Sequence, residues 1–178
     1  MLKLTLVESR KKYPEFCCGE PDIDTYFNTL LCDDVNDFVN AAYILWQDND
    51  IVGFFTLSQH AVRRHGQVHK GNFRDIPTTL LGQFAISRNF RGKSFNNVKY
   101  SILLMDCALM IHARISHRIG STALMLNPIN ETVKSKFYEK FGLFSDFESK
   151  STKNYMYATT PTILSYLDAK KLPRNGLI

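Results

Sequence analysis

The chain has 178 residues, of which 44% are hydrophobic and 22% charged, a balance typical of a folded globular protein rather than a disordered one. Its first residues alternate like a strand without the apolar core of a secretion signal, and its most apolar later stretch, residues 101–111, is too short to span a bilayer. These features exclude a membrane-spanning protein and predict a single domain over residues 1–178, which we expect in the cytoplasm.

Neither the cysteines nor the histidines predict a metal site. The four cysteines have no metal-ligand spacing, so we interpret them as reduced thiols. Three histidines between residues 60 and 69 lack the regular spacing of metal ligands, and we expect exposed or hydrogen-bonded side chains there. These residues are Cys17, Cys18, Cys32, Cys107, His60, His65 and His69.

The net charge of +5 is unevenly distributed along the chain. Residues 13–62 contain nine acidic residues and no Lys or Arg, whereas residues 63–99 contain eight Lys or Arg and a single acidic residue, Asp75. An anionic ligand would therefore bind near residues 63–99. The alternative is a solvated charged surface without a ligand.

The first half of the sequence predicts strands and short helices. Leucines alternate with polar residues over 2–6 and predict a strand. Two helices and a hairpin follow: a helix from Pro21 through Leu31, a short helix capped at Asp33, and strands over Ala41–Gln47 and Ile51–Ser58.

The second half predicts longer elements joined by crossovers. A basic connection over residues 63–77 leads into them. They are a strand over Thr78–Ser87, a helix from Asn96 to His117 ended by Gly120, a strand over Thr122–Asn127, a helix from Asn130 to Lys140 capped by Gly142, strands over Phe144–Phe147 and Tyr155–Thr159, and a terminal helix from Pro161. Together the elements indicate a mixed α/β domain.

The stretch from Leu81 to Asn97 carries the clearest chemical signal. An apolar strand pattern ends at Ser87, a polar turn containing Arg91-Gly92-Lys93 follows, and a helix pattern then begins. Free backbone N–H groups in such a turn and at a helix N-terminus attract an anion. The stretch therefore predicts an anion-binding loop.

The run from Leu81 to Gly142 resembles the GNAT N-acetyltransferases. Their loop reads Arg/Gln-x-x-Gly-x-Gly/Ala and wraps the pyrophosphate of acetyl-CoA. Here the pattern starts at Arg91, and Ser94 and Asn96 stand where the two small residues belong. The resemblance implies an α/β (α+β) fold whose central mixed sheet has about six to seven strands flanked by helices. The acetyl-CoA contacts that it implies are Phe84, Ala85, Ile86, Arg91, Gly92, Lys93, Ser94, Phe95, Asn96 and Asn130.

A second segment, Phe137-Tyr138-Glu139-Lys140-Phe141-Gly142-Leu143, resembles the Phe-Tyr-x-x-x-Gly-Phe segment of the family. Considered alone, Tyr138 on an amphipathic helix would be a packing residue. In the family context it is the expected general acid, which protonates the thiolate that leaves when an amine attacks the thioester directly. A bulge at residues 84–86 would polarise the thioester carbonyl.

The N-terminal half is similar to one GNAT subgroup. The segments that carry this similarity are Phe16-Cys17-Cys18-Gly19, Ile23-Asp24-Thr25-Tyr26-Phe27 and Val52-Gly53-Phe54-Phe55-Thr56-Leu57-Ser58. The subgroup includes the acetyltransferase toxins of toxin–antitoxin pairs, which acetylate the amino acid on charged tRNA. The resemblance thus implies aminoacyl-tRNA as acceptor and a small antitoxin as partner, and it leaves a homodimer open.

Two alternatives remain at this point. The first predicted helices are acidic and unsuited to tRNA phosphates, so a basic ridge formed by Arg63, Arg64, His65, His69, Lys70 and Arg74 would have to supply them, unless these residues only solvate a loop. Ser94 and Asn96 add bulk where the family has small residues. They favour the other alternative, a non-catalytic or weakened CoA-binding module.

Overall fold

A computed structural model describes residues 1–63, 75–147 and 154–172 of the chain. In chain order the strands are β1 (Leu2–Leu6), β2 (Ala41–Gln47), β3 (Asp50–Arg63), β4 (Asp75–Ile86), β5 (Ser94–Phe95), β6 (Val98–Lys99), β7 (Ala123–Leu126), β8 (Ser145–Asp146) and β9 (Met156–Thr159). Seven of them form one sheet in the order β1-β2-β3-β4-β7-β9-β8, and β5 and β6 form a separate hairpin. β4 and β7 pair in parallel, so the sheet is mixed, as predicted.

The helices flank this sheet. They are α1 (Pro21–Thr25), α2 (Leu31–Asn36), α3 (Tyr100–Ile119), α4 (Glu131–Val133), α5 (Glu139–Phe141) and α6 (Thr160–Ala169). Two π-helical turns, Tyr26–Leu30 and Lys134–Tyr138, join α1 to α2 and α4 to α5. No helix in the described part of the chain is long and apolar enough to cross a membrane.

The chain divides into two compact units. The first comprises Met1–Ser58 and Gly82–Ala108. Its core contains three aromatic rings, those of Phe16, Phe27 and Phe54, whose centroids lie 4.8–5.1 Å apart. These rings are at most 5% exposed, so they form a rigid base for the helices and turns of this unit.

The second unit comprises the described parts of Gln59–Leu81 and Leu109–Gly176. A cluster from several of its strands forms part of its core. The buried members of this cluster are Val62, Ile76, Ala123, Met125 and Phe147. Burial of such apolar side chains is the main force that holds the strands of this unit together.

Several predicted boundaries are confirmed because their signals are local. Pro21 begins α1, Gly120 follows α3 with a φ of +69°, and Gly142 follows α5 with a φ of +77°. Two predictions are wrong. Asp33 does not cap a new helix, because the chain is helical without interruption from α1 through α2. The helix predicted from Asn96 begins only at Tyr100.

Candidate active site

The end of β4 is hydrogen-bonded to β3 along one edge. The N–H of Ser87 donates to the oxygen of Val52 at 2.9 Å. Backbone groups alternate between the two edges of a strand, so Ala85 also faces β3, whereas Phe84 and Ile86 face the opposite edge. The described ladder between β4 and β7 ends before this stretch. Two of the three predicted backbone contacts, those of Phe84 and Ile86, therefore lie on the edge of β4 away from β3, and all three contacts remain predictions.

A side chain of β3 contacts the backbone of β4 at Gln83. The N–H of Gln83 donates to the hydroxyl of Thr56 at 2.8 Å. A Cβ atom on Gly53 would lie 2.4 Å from the oxygen of Ala85, so the close approach of the two strands requires glycine. The expected bulge at residues 84–86 remains a prediction.

The turn after β4 folds back on itself and presents cations. The N–H of Arg91 donates to the oxygen of Ser87 at 3.0 Å, and the N–H of Lys93 donates to the oxygen of Phe90 at 3.1 Å. Gly92 has a φ of +76°, and a Cβ placed there would meet no atom within 4 Å. Arg91, Gly92, Lys93 and Ser94 are all exposed, so they are accessible to an anionic ligand.

A hairpin replaces the first turn of the predicted helix. Ser94 pairs with Lys99 and Phe95 pairs with Val98 across β5 and β6. The two linking residues, Asn96 and Asn97, have φ values of +48° and +64°. Two consecutive left-handed residues are typical of the tight type I′ hairpin turn, and asparagine tolerates this conformation better than most residues.

The hairpin separates the basic turn from the N-terminus of α3. The N–H of Tyr100, the first residue of α3, donates to the oxygen of Lys93 at 3.2 Å and closes the hairpin. The Tyr100 ring is 4% exposed, packs edge-on against Phe90, and its hydroxyl donates to Gln47. The hairpin therefore keeps the N-terminus of α3 close to the basic turn, although α3 begins four residues later than predicted, at Tyr100 instead of Asn96.

The basic turn is attached to the turn before α1. Arg91 Nη2 donates to the oxygen of Cys18 at 2.5 Å, and the N–H of Arg88 donates to the oxygen of Cys17 at 2.9 Å. The Arg88 side chain also lies against Gly19, where a Cβ would be 2.5 Å from Nε. Gly19 has a φ of +91°, so both its conformation and its neighbour require glycine.

Asp24 in turn holds the Cys17–Gly19 turn. Its carboxylate accepts the N–H of Cys18 at 2.6 Å and that of Gly19 at 3.0 Å, and the Cys17 thiol lies 3.5 Å away. Although desolvation acts to raise the pKa of Asp24, these hydrogen bonds outweigh it and hold the pKa below its usual value. Burial raises the pKa of the Cys18 thiol to about 11, so this thiol stays protonated.

Tyr138 lies in the second unit, at the end of its π-helical turn. Its ring packs against Phe137 and, edge-on, against Phe144, and it is 5% exposed. Within the described residues its hydroxyl forms no hydrogen bond. Desolvation by burial raises its pKa well above the usual value, so the phenol carries its proton throughout the neutral range.

The side chain of Asn130 caps a helix. Its Oδ1 accepts the N–H of Val133 at 2.8 Å, which caps α4, the first part of the helical segment that carries Tyr138. Its predicted contact with acetyl-CoA is not tested by this geometry and stays a prediction.

Other predicted candidates contribute little to the described structure. Five of the six residues of the predicted basic ridge lie outside the described residues, so the ridge stays a prediction; these five are Arg64, His65, His69, Lys70 and Arg74. His60 stacks parallel to Tyr155 with ring centroids 6.2 Å apart. Within residues 1–63, 75–147 and 154–172, no three Cys, His, Asp or Glu side chains gather as a metal site.

Several solved structures resemble nearly the whole chain. A Tyr-to-Phe mutant of AtaT, bound to acetyl-CoA and the C-terminus of the antitoxin AtaR, matches with a TM-score of 0.78 and 22% identity over 94% of this chain and 99% of that chain. AtaT complexed with acetyl-methionyl-tRNAfMet matches with a TM-score of 0.80 and 21% identity, over 94% and 99%. These neighbours are acetyltransferase toxins of the GNAT fold. The chain has the GNAT fold.

A third GNAT structure, a Tyr-to-Phe mutant of KacT, matches with a TM-score of 0.79 and 20% identity, over 93% of this chain and 98% of that chain. No protein-family profile matches the chain, and no curated protein sequence does. The fold that the sequence motifs implied is therefore confirmed by structure, at a level of identity where sequence comparison finds nothing.

Sequence reasoning missed the attachment of the basic turn. It used Cys17-Cys18-Gly19 only as a family marker and gave Asp24 no role. A local signal was present, because an acidic residue in the first turn of a helix often accepts backbone N–H groups just before that helix. The contact of Arg91 with Cys18 had no such signal, since 73 residues separate the two.

Proposed function

We propose that this protein is an acetyl-CoA-dependent N-acetyltransferase that transfers acetyl directly to a primary amine. One observation carries the proposal: in a GNAT fold, an exposed Arg91-Gly92-Lys93 turn directly follows the end of β4. A cationic turn suits the pyrophosphate of acetyl-CoA.

The residues would divide the chemistry as follows. Arg91, Lys93 and the turn around Gly92 bind the pyrophosphate and so fix the thioester. The acceptor amine attacks the thioester carbonyl, the carbon–sulfur bond breaks, and Tyr138 donates its proton to the leaving thiolate. The nitrogen loses one proton to water as the amide forms, and the tyrosinate takes a proton back from water. The phenol of Tyr138 carries its proton at neutral pH, as a general acid must.

We further propose that the acceptor is the amino group of an aminoacyl-tRNA and that a small antitoxin binds this protein. The support is the likeness to AtaT, which is seen with acetyl-methionyl-tRNAfMet and with AtaR. The two proposed substrates, acetyl-CoA and aminoacyl-tRNA, are cytoplasmic molecules, so we also propose that the protein acts in the cytoplasm. We also propose that residues 1–178 form one acetyltransferase domain, since the similar chains extend over nearly the same length.

Calorimetric titration with acetyl-CoA, followed by incubation with charged tRNAs and radiolabelled acetyl-CoA, tests the proposal. We expect saturable acetyl-CoA binding and label on an aminoacyl-tRNA, and loss of labelling but not of binding in Tyr138→Phe. No binding at high micromolar acetyl-CoA contradicts the enzyme. If the protein binds acetyl-CoA but labels neither an aminoacyl-tRNA nor a free amine, it is the non-catalytic CoA-binding module that the bulk of Ser94 and Asn96 suggests.

A further inference from the structure

Phe38 is held in an unfavourable conformation at the end of α2. Its N–H donates to the oxygen of Val35 at 3.3 Å, and the N–H of the next residue, Val39, donates to the oxygen of Asp34 at 2.9 Å. These two bonds form a Schellman motif, in which the residue at the position of Phe38 is left-handed and is usually glycine. Phe38 has a φ of +57° there, a strained value for a bulky side chain.

Packing within the protein does not offset this strain. The Phe38 side chain is 92% exposed, the highest exposure of any large hydrophobic residue in the described chain. The next side chain, Val39, is apolar and also exposed, at 58%. The hydrogen bond from its N–H to Asp34 holds Val39 beside Phe38 at the C-terminal end of α2. We call Phe38 and Val39 the Phe38 patch.

The surroundings of the Phe38 patch are acidic. Asp33 and Asp37 are exposed, and neither forms an ion pair with another described residue. No Lys or Arg occurs anywhere between residues 13 and 62. A nucleic acid would be repelled by this surface, whereas a segment rich in Lys and Arg would be attracted to it.

A second copy of the chain is a poor occupant for the same reason. A two-fold symmetric contact through the Phe38 patch would bring Asp33 and Asp37 of one copy against those of the other. A contact between this patch and a basic region of another copy would be head-to-tail and would build a ring or a filament instead of a two-fold dimer. Charge therefore favours a different protein as the partner.

We propose that the Phe38 patch is a docking site for a basic, amphipathic segment of a partner protein, with the Phe38 ring as its anchor. Exposed aromatic rings are the commonest anchors of protein interfaces, and backbone strain kept at an exposed position is typical of a functional site. Asp33 and Asp37 attract the Lys and Arg side chains around the anchor. This site does not depend on acetyl transfer, so it stands or falls separately from the proposed function.

The matched variants are Phe38→Gly and Phe38→Ala. Glycine removes both the ring and the strain, whereas alanine removes the ring and keeps a left-handed non-glycine residue. We expect Phe38→Gly to raise the melting temperature by about 2–4 °C, as relief of strain does in a domain of this size. An unchanged or lower melting temperature would contradict the claim that strain is stored at Phe38.

The binding probe is a synthetic amphipathic helix of Leu and Lys, compared with one of Leu and Glu of the same length, in fluorescence titrations with the full chain. We expect saturable binding of the Lys peptide alone, weakened about tenfold by either Phe38 variant. The double variant Asp33→Asn, Asp37→Asn should lower the affinity and flatten its salt dependence. Ile129→Ala, which trims an apolar side chain that is 52% exposed elsewhere, should leave binding unchanged.

In the peptide titrations, three outcomes overturn the proposal. They are absence of binding by the Lys peptide, equal binding of both peptides, and equal binding by wild type and Phe38→Gly.

Two further results would assign the Phe38 patch to another partner and so also overturn the proposal. If sedimentation analysis finds a dimer of the free chain that disappears in Phe38→Gly, the patch serves self-association. If Phe38→Gly abolishes tRNA binding, the patch binds nucleic acid.

Discussion

The guanidinium of Arg91 donates a hydrogen bond to the backbone oxygen of Cys18, with 2.5 Å between Nη2 and the oxygen. Cys18 is itself fixed by Asp24, whose carboxylate accepts the Cys18 N–H at 2.6 Å. Asp24 is therefore connected through one backbone residue to the cation that we propose for pyrophosphate binding. Because the N–H of Arg88 also bonds this turn, the basic turn cannot move without disturbing the turn before α1.

Asp24→Ala should weaken the binding of acetyl-CoA, although Asp24 is not among the residues that we propose to contact acetyl-CoA. The unpaired N–H groups of Cys18 and Gly19 would let the turn relax and Arg91 shift, so we expect KM for acetyl-CoA to rise roughly tenfold with kcat nearly unchanged. Steady-state kinetics and calorimetric titration measure this. The free energy of unfolding should fall by about 1–3 kcal/mol, as for other buried donors left without partners.

Asp22→Asn is the control for Asp24, because Asp22 is exposed in the same first turn of α1 and bonds none of these groups. It should leave both KM and stability unchanged. A KM for Asp24→Ala equal to that of wild type, in a folded protein, would mean that Arg91 is positioned by other contacts.

Tyr138→Phe should reduce kcat by about 10²–10⁴ while acetyl-CoA binding is retained. The substitution removes the proton donor and leaves the ring that packs against Phe137 and Phe144. Since the raised pKa keeps Tyr138 protonated, its ionisation should cause no loss of kcat below pH 10 in wild type. Tyr155→Phe makes the same chemical change on a ring stacked with His60 and should keep full activity. A normal kcat in Tyr138→Phe would require another acid.

The elements that sequence predicted well depend on neighbouring residues alone. Ala41–Gln47 is a strand as predicted, because its apolar run is followed by a tight turn at Asp48, which has a φ of +54°. Gly142 ends its helix because glycine adopts the left-handed conformation without steric cost. In the candidate site, the basic turn at Arg91 and the presence of Tyr138 on a helix were predictable for the same reason.

The features that sequence did not predict arise from competition or from distance. Asn96 and Asn97 continue an amphipathic pattern into α3, but asparagine is also well suited to a hairpin turn. In the structure these two residues form the turn of the β5–β6 hairpin instead of the start of α3. The burial of Tyr138 and the contact of Arg91 with Cys18 depend on packing between residues far apart in the chain. No local pattern specifies such contacts.

Asn97→Val should disrupt the β5–β6 hairpin, because a β-branched residue is strongly disfavoured at a φ of +64°. We expect a loss of about 1–2 kcal/mol in the free energy of unfolding and weaker acetyl-CoA binding, since the hairpin joins Lys93 to α3. Asn97→Gly fits the same turn and should preserve both quantities. Asn89→Val makes the same change at an exposed turn residue without a left-handed backbone. Equal stability of Asn97→Val and Asn89→Val would show that the hairpin turn is not under this constraint.

His112 is completely buried in α3, and its hydrogen bond fixes its tautomer. Thr160 Oγ1 donates to the oxygen of Ser121 at 2.7 Å, so it must accept the proton of His112 Nε2, which lies 3.0 Å away. Nδ1 is left without a hydrogen-bond partner in the described structure. A proton added there would create a buried, unpaired cation, and this desolvation lowers the pKa of His112 to about 4.

His112 should therefore make the protein less stable in mild acid. Between pH 6.5 and about 4 the unfolded chain binds a proton at this histidine and the folded chain does not, so stability falls as the pH falls through this window and is constant above it. The full effect is roughly 3 kcal/mol. Urea unfolding of wild type and His112→Gln, whose amide N–H can still donate to Thr160, measures it as a difference in slope against pH. His117→Gln, an exposed histidine of the same helix, should keep the wild-type slope. If His112→Gln also keeps the wild-type slope, the folded protein binds a proton at His112 over the same pH range as the unfolded chain.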